Sequence, residues 1–179
     1  YLNAALELEK KKHPNKEIIP AGIFYYQMKD PMVEKTEEDQ VQDALLKELR
    51  PSGLVSSDPE VLNHLDHTGT RSSLAAPFAR NKDGSISKTS RAASRKEFEL
   101  LSSYTRKKTG QLKEEILEGN AKKEPYELGT STGCDYCPYH GICGFDEKIE
   151  GCGYRNLVSQ KREEIFRLIA RELSEWEGE

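Results

Sequence analysis

Three of the chain's four cysteines lie close together, in the segment STGCDYCPYHGICGFD at residues 131–146. They are spaced as Cys134-x-x-Cys137 followed by Cys143, and His140 lies between the last two. A Cys-x-x-Cys turn can direct two thiolates to one metal ion, and the third thiolate, six residues further on, can bind the same centre. Three thiolates do not complete a tetrahedral zinc site or a four-iron cluster, because each takes about four ligands. The segment therefore predicts a metal site that needs one more ligand.

The residues leave the identity of that fourth ligand open. His140 would give a zinc site of three cysteines and one histidine, Cys152 would give a four-cysteine site, and a ligand from outside the chain is the third possibility. Cys152 lies between glycines and also fits a free thiol in a turn. A thioredoxin-type redox pair needs a preceding strand and a following helix, which the flanking sequence does not predict. Apolar side chains between the ligands are expected to shield the site from water, namely Tyr136, Pro138, Tyr139, Ile142 and Phe145.

Positive charge is concentrated in one segment. The net charge of −4 predicts no general attraction to nucleic acid. Residues 80–108 nevertheless carry nine basic and three acidic side chains, a net of +6, which leaves −10 for the rest. This asymmetry is typical of a local phosphate-facing surface, because Lys and Arg gain by displacing counterions from a polyanion. A solvated helix face is the alternative. The candidates for DNA contact are Arg91, Arg95 and Arg106.

Length and composition indicate a water-soluble, cytoplasmic class of protein. The 179 residues suffice for one ordinary domain with an appendage. No apolar run approaches the roughly 20 residues of a membrane span. No secretory signal precedes the cysteines, and in the reducing cytoplasm clustered thiols more often bind metal than form disulfides. Because the chain begins within an amphipathic pattern, YLNAALELEKKK, we expect it to be a piece of a longer protein.

Hydrophobic periodicity predicts a helix-rich α+β fold around these residues. One strand is predicted at 23–29, where β-branched and aromatic residues precede Asp30-Pro31. A hairpin turn is predicted at Lys82-Asp83-Gly84. The predicted helices are at 1–12, 37–49, a short one beginning near Asp58 or Pro59, 95–118 and roughly 157–177.

Four stretches in this order resemble a known family: YLNAAL, IIPAGIFYYQMKDP, NKDGSISKTSRAAS and PYELGTSTGCDYCPYHGICGFD. The family is the C-terminal nuclease region of the B subunit of the bacterial ATP-dependent helicase/deoxyribonuclease, AddAB type. The resemblance implies part of a restriction-endonuclease-like, PD-(D/E)XK-type domain at residues 1–128, a cysteine loop at 129–152 and a C-terminal helix at 153–179. It also implies a role in processing double-strand DNA ends for recombinational repair, with DNA and the A subunit as partners.

The same resemblance implies a ligand set and cofactors for the longer parent protein. In that family a 4Fe–4S cluster takes one cysteine from far upstream and three from a C-terminal group, which correspond here to Cys134, Cys137 and Cys143. The parent would also use ATP and a divalent metal such as Mg²⁺. The alternative is a zinc-stapled module that binds protein or DNA, with His140 or Cys152 as the fourth ligand.

No catalytic residue is predicted within the chain. The family's catalytic carboxylates and lysine lie further upstream, so the resemblance implies that this chain alone is inactive. Such a site needs carboxylates and a lysine at the end of an apolar strand, where they hold the divalent metal. Two acidic segments that include lysine, Glu9-Lys10-Lys11 and Asp146-Glu147-Lys148, lack such a strand and are predicted to be surface charge. No Gly-x-x-x-x-Gly-Lys loop is present, so no nucleotide-phosphate cradle is encoded here.

Overall fold

The computed structural model describes residues 1–28, 30–33, 38–68 and 71–177. Within them lie six helices and six strands, which confirms the helix-rich α+β class. The helices are α1 (Leu2–Lys12), α2 (Glu38–Glu48), α3 (Pro59–Leu65), α4 (Arg95–Leu117), α5 (His140–Cys143) and α6 (Arg162–Glu177). The strands are β1 (Gly22–Tyr25), β2 (Ser52–Ser56), β3 (Ala92–Ala93), β4 (Tyr126–Leu128), β5 (Ser131–Thr132) and β6 (Arg155–Asn156).

Contacts within the chain divide it into two compact units, unit 1 at residues 1–102 and unit 2 at residues 103–179. The division falls inside α4. The boundaries drawn at 128 and 152 from the resemblance concern functional segments, and they stay a prediction. In the part of the chain that the structure describes, no helix combines the length and the apolar character needed to cross a membrane.

Unit 1 contains a three-stranded mixed sheet in the order β1-β2-β3. β1 and β2 are antiparallel, from Gly22 opposite Val55 to Tyr25 opposite Ser52, and β3 lies parallel to β2. Gly53 in β2 has φ of +133°, and a Cβ atom there would lie 2.0 Å from the Ile23 carbonyl oxygen. Only glycine fits this position, because both the backbone angle and the facing strand exclude a side chain.

The core of unit 1 lies beside this sheet. Its buried members are Val55, Leu62, Ala76, Phe78 and Ala92, and the half-buried Leu65 and Ile86 pack against them. Leu62 belongs to α3, which begins as predicted: the Asp58 carboxylate accepts a hydrogen bond from the Glu60 N–H at 2.9 Å, and Pro59 is the first helical residue. The core is small, so polar contacts around it matter for the stability of the unit.

Unit 2 is held together partly by contacts between α4 and α6. The rings of Tyr104 and Trp176 stack with their centroids 6.2 Å apart. Lys108 forms an ion pair with Glu172 at 2.7 Å, and this hydrogen bond raises the pKa of Lys108. Ile169 and Leu173 on α6 are buried. The face of α6 that carries Ile169 and Leu173 is therefore used in packing.

Several predicted boundaries were wrong. The strand predicted at 23–29 is observed at Gly22–Tyr25, and its predicted last residue, Lys29, lies outside the described residues. The helix predicted at 37–49 is observed at Glu38–Glu48, and position 37 also lies outside them. The last helix begins at Arg162 instead of 157, because β6 pairs with β4 just before it.

The hairpin at 82–84 is confirmed as a turn with minimal pairing. The Asn81 N–H donates to the Ser85 oxygen at 2.8 Å, the Gly84 N–H donates to the Asn81 oxygen at 3.1 Å, and a single bridge joins Arg80 to Ile86. The turn chemistry was therefore read correctly from the sequence, while the arms are shorter than strands.

Candidate metal centre and nucleic-acid interface

The cysteine loop is bracketed by the three-stranded sheet of unit 2. β4 pairs with β5 on one side in the antiparallel sense and with β6 on the other in the parallel sense. The chain enters the loop after β5 and returns to the same sheet at β6, where Arg155 lies opposite Tyr126. All four cysteines lie in the connection between β5 and β6. The sheet thus fixes both ends of the segment that carries the thiols.

Short backbone hydrogen bonds shape the loop. The Cys137 N–H donates to the Cys134 oxygen at 3.2 Å, the His140 N–H donates to the Cys137 oxygen at 3.3 Å, and the Cys143 N–H donates to the Tyr139 oxygen at 2.9 Å. These three bonds wind the chain through successive tight turns into α5. Gly144 follows in the left-handed conformation that commonly ends a helix. The predicted Cys-x-x-Cys turn is therefore present as a backbone feature.

The start of the loop is fixed by Asp135. Its carboxylate accepts hydrogen bonds from the Thr132 N–H at 2.9 Å and from the Thr132 hydroxyl at 2.6 Å. These bonds lower the pKa of Asp135, so the group is an anion at neutral pH. The Thr132 hydroxyl oxygen also accepts from the Cys134 N–H at 3.2 Å. Position 134 is thereby tied to the end of β5.

All four cysteines are free thiols. Cys134, Cys137 and Cys152 are half-buried and Cys143 is exposed. Within the described residues, no group of three or more His, Cys, Asp or Glu side chains is arranged to hold a metal ion. The structure therefore leaves both ligand sets as predictions: the three thiols with an external ligand, and the zinc alternative with His140 or Cys152.

Tyr154 and Lys123 make contacts with the cysteine loop. The Tyr154 hydroxyl forms a hydrogen bond with Cys134, which raises the pKa of Tyr154, and the Tyr154 ring packs edge-on against Phe145 at 4.9 Å. The Lys123 ammonium donates to the backbone oxygens of Cys143 and Gly144, both at 3.3 Å. Lys123 therefore connects the segment before β4 with the end of α5.

The expected apolar shield is wrong for most of its members. Tyr136 is 99% exposed, Ile142 84% and Tyr139 65%, and Pro138 is also exposed. Only Phe145 is half-buried. No residue from 131 to 157, all of them described by the structure, is buried. The loop thus has no hydrophobic core of its own.

The two acidic segments that contain lysine have the surface character expected of them. Glu9 lies on α1 and pairs with Lys12 at 2.7 Å, which lowers the pKa of its carboxyl. Asp146 accepts a hydrogen bond from the Lys148 N–H at 2.9 Å within a turn. Neither follows a strand with an apolar face, so neither has the geometry of a nuclease metal site.

The three predicted DNA-contacting arginines differ in how they are held. Arg95 forms ion pairs with Glu17 and with Glu99, and both raise its pKa. Arg106 on α4 is exposed and already has an interaction partner within the protein. Arg91 is exposed, and its guanidinium has no hydrogen-bond or ion-pair partner among the described residues. Of the three, Arg91 has the side chain most available to an external anion.

Sequence reasoning missed a further arginine, Arg50, just after α2. Its guanidinium donates to the Ala76 oxygen at 3.1 and 3.0 Å and to the Phe78 oxygen at 2.8 Å. Burial lowers the pKa of Arg50, although an arginine stays charged at neutral pH. No signal in the sequence identified it, because its partners lie 26 and 28 residues further along the chain.

The family model described as the PD-(D/E)XK nuclease superfamily matches residues 1–144. Proteins named as the B subunit of the ATP-dependent helicase/deoxyribonuclease are similar along almost the whole chain. The one from a Thermoanaerobacter species is 37% identical over 177 residues, which cover 97% of this chain and 15% of the relative.

Two further relatives carry the same name. The protein from Alkaliphilus metalliredigens is 38% identical over 174 residues, or 96% of this chain and 15% of its own length. The protein from Clostridium acetobutylicum is 35% identical over 178 residues, or 98% of this chain and 15% of its own length. The chain thus spans about 15% of the length of the curated relatives it matches. The resemblance stated from the sequence is confirmed.

Proposed function

We propose that this chain, which belongs to the PD-(D/E)XK nuclease superfamily, is the C-terminal nuclease-region segment of the B subunit of an ATP-dependent helicase/deoxyribonuclease that processes double-strand DNA ends for recombinational repair. The observation that carries the proposal is the similarity to proteins of that name over 97% of the chain. A shared metal-binding motif alone would give a match confined to the cysteine loop. The full-length protein would work in the cytoplasm with DNA and an A subunit.

The chain's own contribution to a cofactor would come from Cys134, Cys137 and Cys143. Their chemistry fits three ligands of a 4Fe–4S cluster: they are free thiols, none is bound in a disulfide, and hydrogen-bonded turns connect them. The fourth thiolate would come from elsewhere in the full-length protein. When bound, such a cluster supplies folding energy, because thiolate–metal bonds form only once the ligands are brought together.

Catalysis would depend on residues outside this chain. Glu9 and Asp146, the acidic members of the two lysine-containing segments, are engaged in local surface contacts. The divalent metal of the nuclease site and the ATP of the motor would accordingly bind elsewhere in the full-length protein. The chain alone should therefore cleave no DNA, and its role would be to complete the nuclease fold and to hold one side of the cluster.

Part of the DNA surface would lie on the basic segment at residues 80–108. Arg91, Arg95 and Arg106 remain its candidate contacts. Among them Arg91 is supported by its exposed guanidinium, which has no partner among the described residues. Arg95 would first have to exchange its pairs with Glu17 and Glu99 for phosphate, so we expect it to contribute less.

The test compares three anaerobically purified full-length proteins: wild type, Cys137→Ala, and the double variant His140→Ala/Cys152→Ala. We expect iron, sulfide and broad absorbance near roughly 400 nm in the wild type and the double variant, and their loss in Cys137→Ala. The double variant is the matched control, because it removes the two potential zinc ligands and leaves the three proposed thiolates intact.

Other outcomes would reject the proposal in distinguishable ways. About one zinc per chain, lost in the double variant, would mean that the loop is a complete zinc site and would favour the zinc-stapled binding module. The wild-type protein with its partner subunit should also degrade linear duplex DNA when ATP and Mg²⁺ are both present. Absence of that activity would reject the helicase–nuclease assignment whatever metal is found.

A further inference from the structure

A cleft of about 280 Å³ in unit 1 has two arginines and no acidic residue among the described residues that line it. We call it the Arg50–Arg91 cleft. Besides the two arginines, its lining includes three residues with hydroxyl groups: Ser52, Thr89, whose hydroxyl pairs with that of Ser87 at 2.9 Å, and Ser90, whose hydroxyl already donates to the Ala79 oxygen at 3.1 Å. It therefore combines cationic groups with potential hydrogen-bond donors, which is the combination that recognises a phosphate group.

Arg50 is the fixed charge of this cleft. Four of the five N–H donors that a guanidinium carries are engaged, three with the backbone oxygens of Ala76 and Phe78 and one with the Ser72 hydroxyl at 3.4 Å. None of these partners is an anion, so among the described residues the positive charge is oriented but not neutralised. Its half-buried position weakens screening by water, and the charge therefore acts on the cleft more strongly than that of an exposed side chain would.

Arg91 is the available charge. Its backbone is held on both sides: the Arg91 N–H donates to the Pro77 oxygen at 3.3 Å, and its oxygen accepts from the Val55 N–H at 2.9 Å at the start of β3. The side chain is exposed and has no partner among the described residues. A fixed backbone with a free guanidinium lets Arg91 bind an anion without breaking an existing ion pair.

We infer that the Arg50–Arg91 cleft binds one phosphodiester group of a DNA strand. Arg91 makes the direct contact, Arg50 supplies a fixed positive field, and the Thr89 and Ser52 hydroxyls are additional donors. The inference rests on the proposed function, from which DNA is taken as the polyanion. It goes further by assigning the contact to one position in the fold and by including Arg50, whose role the charge pattern along the sequence did not reveal.

The experiment measures binding of the full-length protein to a fluorescein-labelled duplex with a single-stranded tail, from about 50 to 200 mM salt. Arg91→Gln should weaken binding by roughly three- to tenfold, because the contact is exposed and water and salt partly screen it. It should also lower the slope of log affinity against log salt by about 1. Arg91→Lys keeps the charge and should retain the wild-type slope.

Arg167→Gln is the matched control, since it removes an exposed arginine that lies outside the basic segment and already pairs with the Glu164 carboxylate at 2.9 Å. Its slope and affinity should stay close to those of the wild type. Equal losses of DNA affinity in Arg167→Gln and Arg91→Gln would mean that any surface arginine has the same effect, and would overturn the inference. So would unchanged binding by Arg91→Gln, or absence of DNA binding by the wild type.

Free phosphate is the other possible source of the same ligand chemistry. Inorganic phosphate titrated at matched ionic strength into the wild type without DNA should show no saturable binding that Arg91→Gln removes. Saturable phosphate binding that is lost in Arg91→Gln, together with DNA binding that Arg91→Gln leaves unchanged, would assign the cleft to free phosphate and overturn the DNA contact. The nuclease and metal assays of the full-length protein test the proposed function separately. If those assays fail while Arg91→Gln still weakens DNA binding selectively, the proposed function is rejected and the assignment of the cleft stands.

Discussion

Arg50 and Arg91 line the same cleft but have different structural roles, so the same substitution should affect them differently. In Arg50→Met, the N–H donations to Ala76 and Phe78 oxygens at 2.8–3.1 Å are lost. Each acceptor keeps one bond, because the Ala76 oxygen also accepts from the Phe78 N–H at 2.8 Å and the Phe78 oxygen also accepts from the Ser73 N–H at 3.1 Å. No buried carbonyl is orphaned, which limits the cost.

The magnitude follows from these lost and retained hydrogen bonds. Hydrogen bonds from a charged donor contribute about 1.5–3 kcal/mol each, and two acceptors are involved. Part of that loss is offset, because a half-buried cation no longer has to be desolvated. We expect Arg50→Met to destabilise unit 1 by about 2 kcal/mol, which is roughly a 30-fold change in its opening equilibrium. Arg91→Met should change it by less than about 0.5 kcal/mol.

Hydrogen exchange measured by mass spectrometry is the suitable assay, with peptides covering residues 72–93. The protein's only tryptophan, Trp176, lies in unit 2, so its fluorescence would not report on this unit. Amides of the segment should exchange roughly 30-fold faster in Arg50→Met, and near the wild-type rate in Arg91→Met. Equal exchange in the two variants would refute the view that Arg50 holds the 76–78 backbone in place.

Two further predictions concern unit 1. In Gly53→Ala, unit 1 should unfold at a clearly lower denaturant concentration than in the wild type. Gly84→Ala should lower the free energy of unfolding by only about 1–2 kcal/mol. Both glycines have positive φ, but only at Gly53 would the new Cβ lie 2.0 Å from a carbonyl oxygen. Similar midpoints would contradict this. Asp66 accepts hydrogen bonds from Ser73 and Thr68 that lower its pKa; its stabilisation is therefore present above about pH 4 and lost at lower pH. Asp66→Asn should be less stable than wild type near pH 6 and approach it near pH 3; a pH-independent difference would count against the ionised contact.

Local sequence patterns correctly predicted the helix ends that neighbouring residues determine. Asp58-Pro59 correctly predicted the beginning of α3, and the periodicity over 95–118 predicted α4 to within one residue. The prediction failed where partners come from far along the chain. β2 is missing from the predicted elements, because Pro51-Ser52-Gly53 is typical of a turn or a helix end. The segment becomes a strand by pairing with β1 and β3.

In the candidate site, too, the sequence predicted the local features and missed those that depend on distant partners. Cysteine spacing identified the loop, and the charge count identified the basic segment. Neither could say which arginine is free, since Arg95 is neutralised by Glu17, which lies 78 residues away. Arg50 likewise acquires its role only when the end of α2 meets the backbone at 76–78. Contacts of this kind depend on tertiary structure, which hydrophobic periodicity and motif spacing do not encode.

The absence of a core around the cysteines bears on what a cluster would do there. Every residue from 131 to 157 is described, and none is buried, so apolar burial cannot be the main source of order in this segment. The backbone turns and the pairing of β6 with β4 close the loop, but short solvent-exposed hydrogen bonds contribute little net stability. In small segments without a core, metal–thiolate binding commonly supplies the missing free energy. If the three thiols bind a cluster with a distant fourth ligand, the loop should therefore become ordered when the cluster binds, and Cys137→Ala should increase exchange there while leaving the buried core of unit 1 protected.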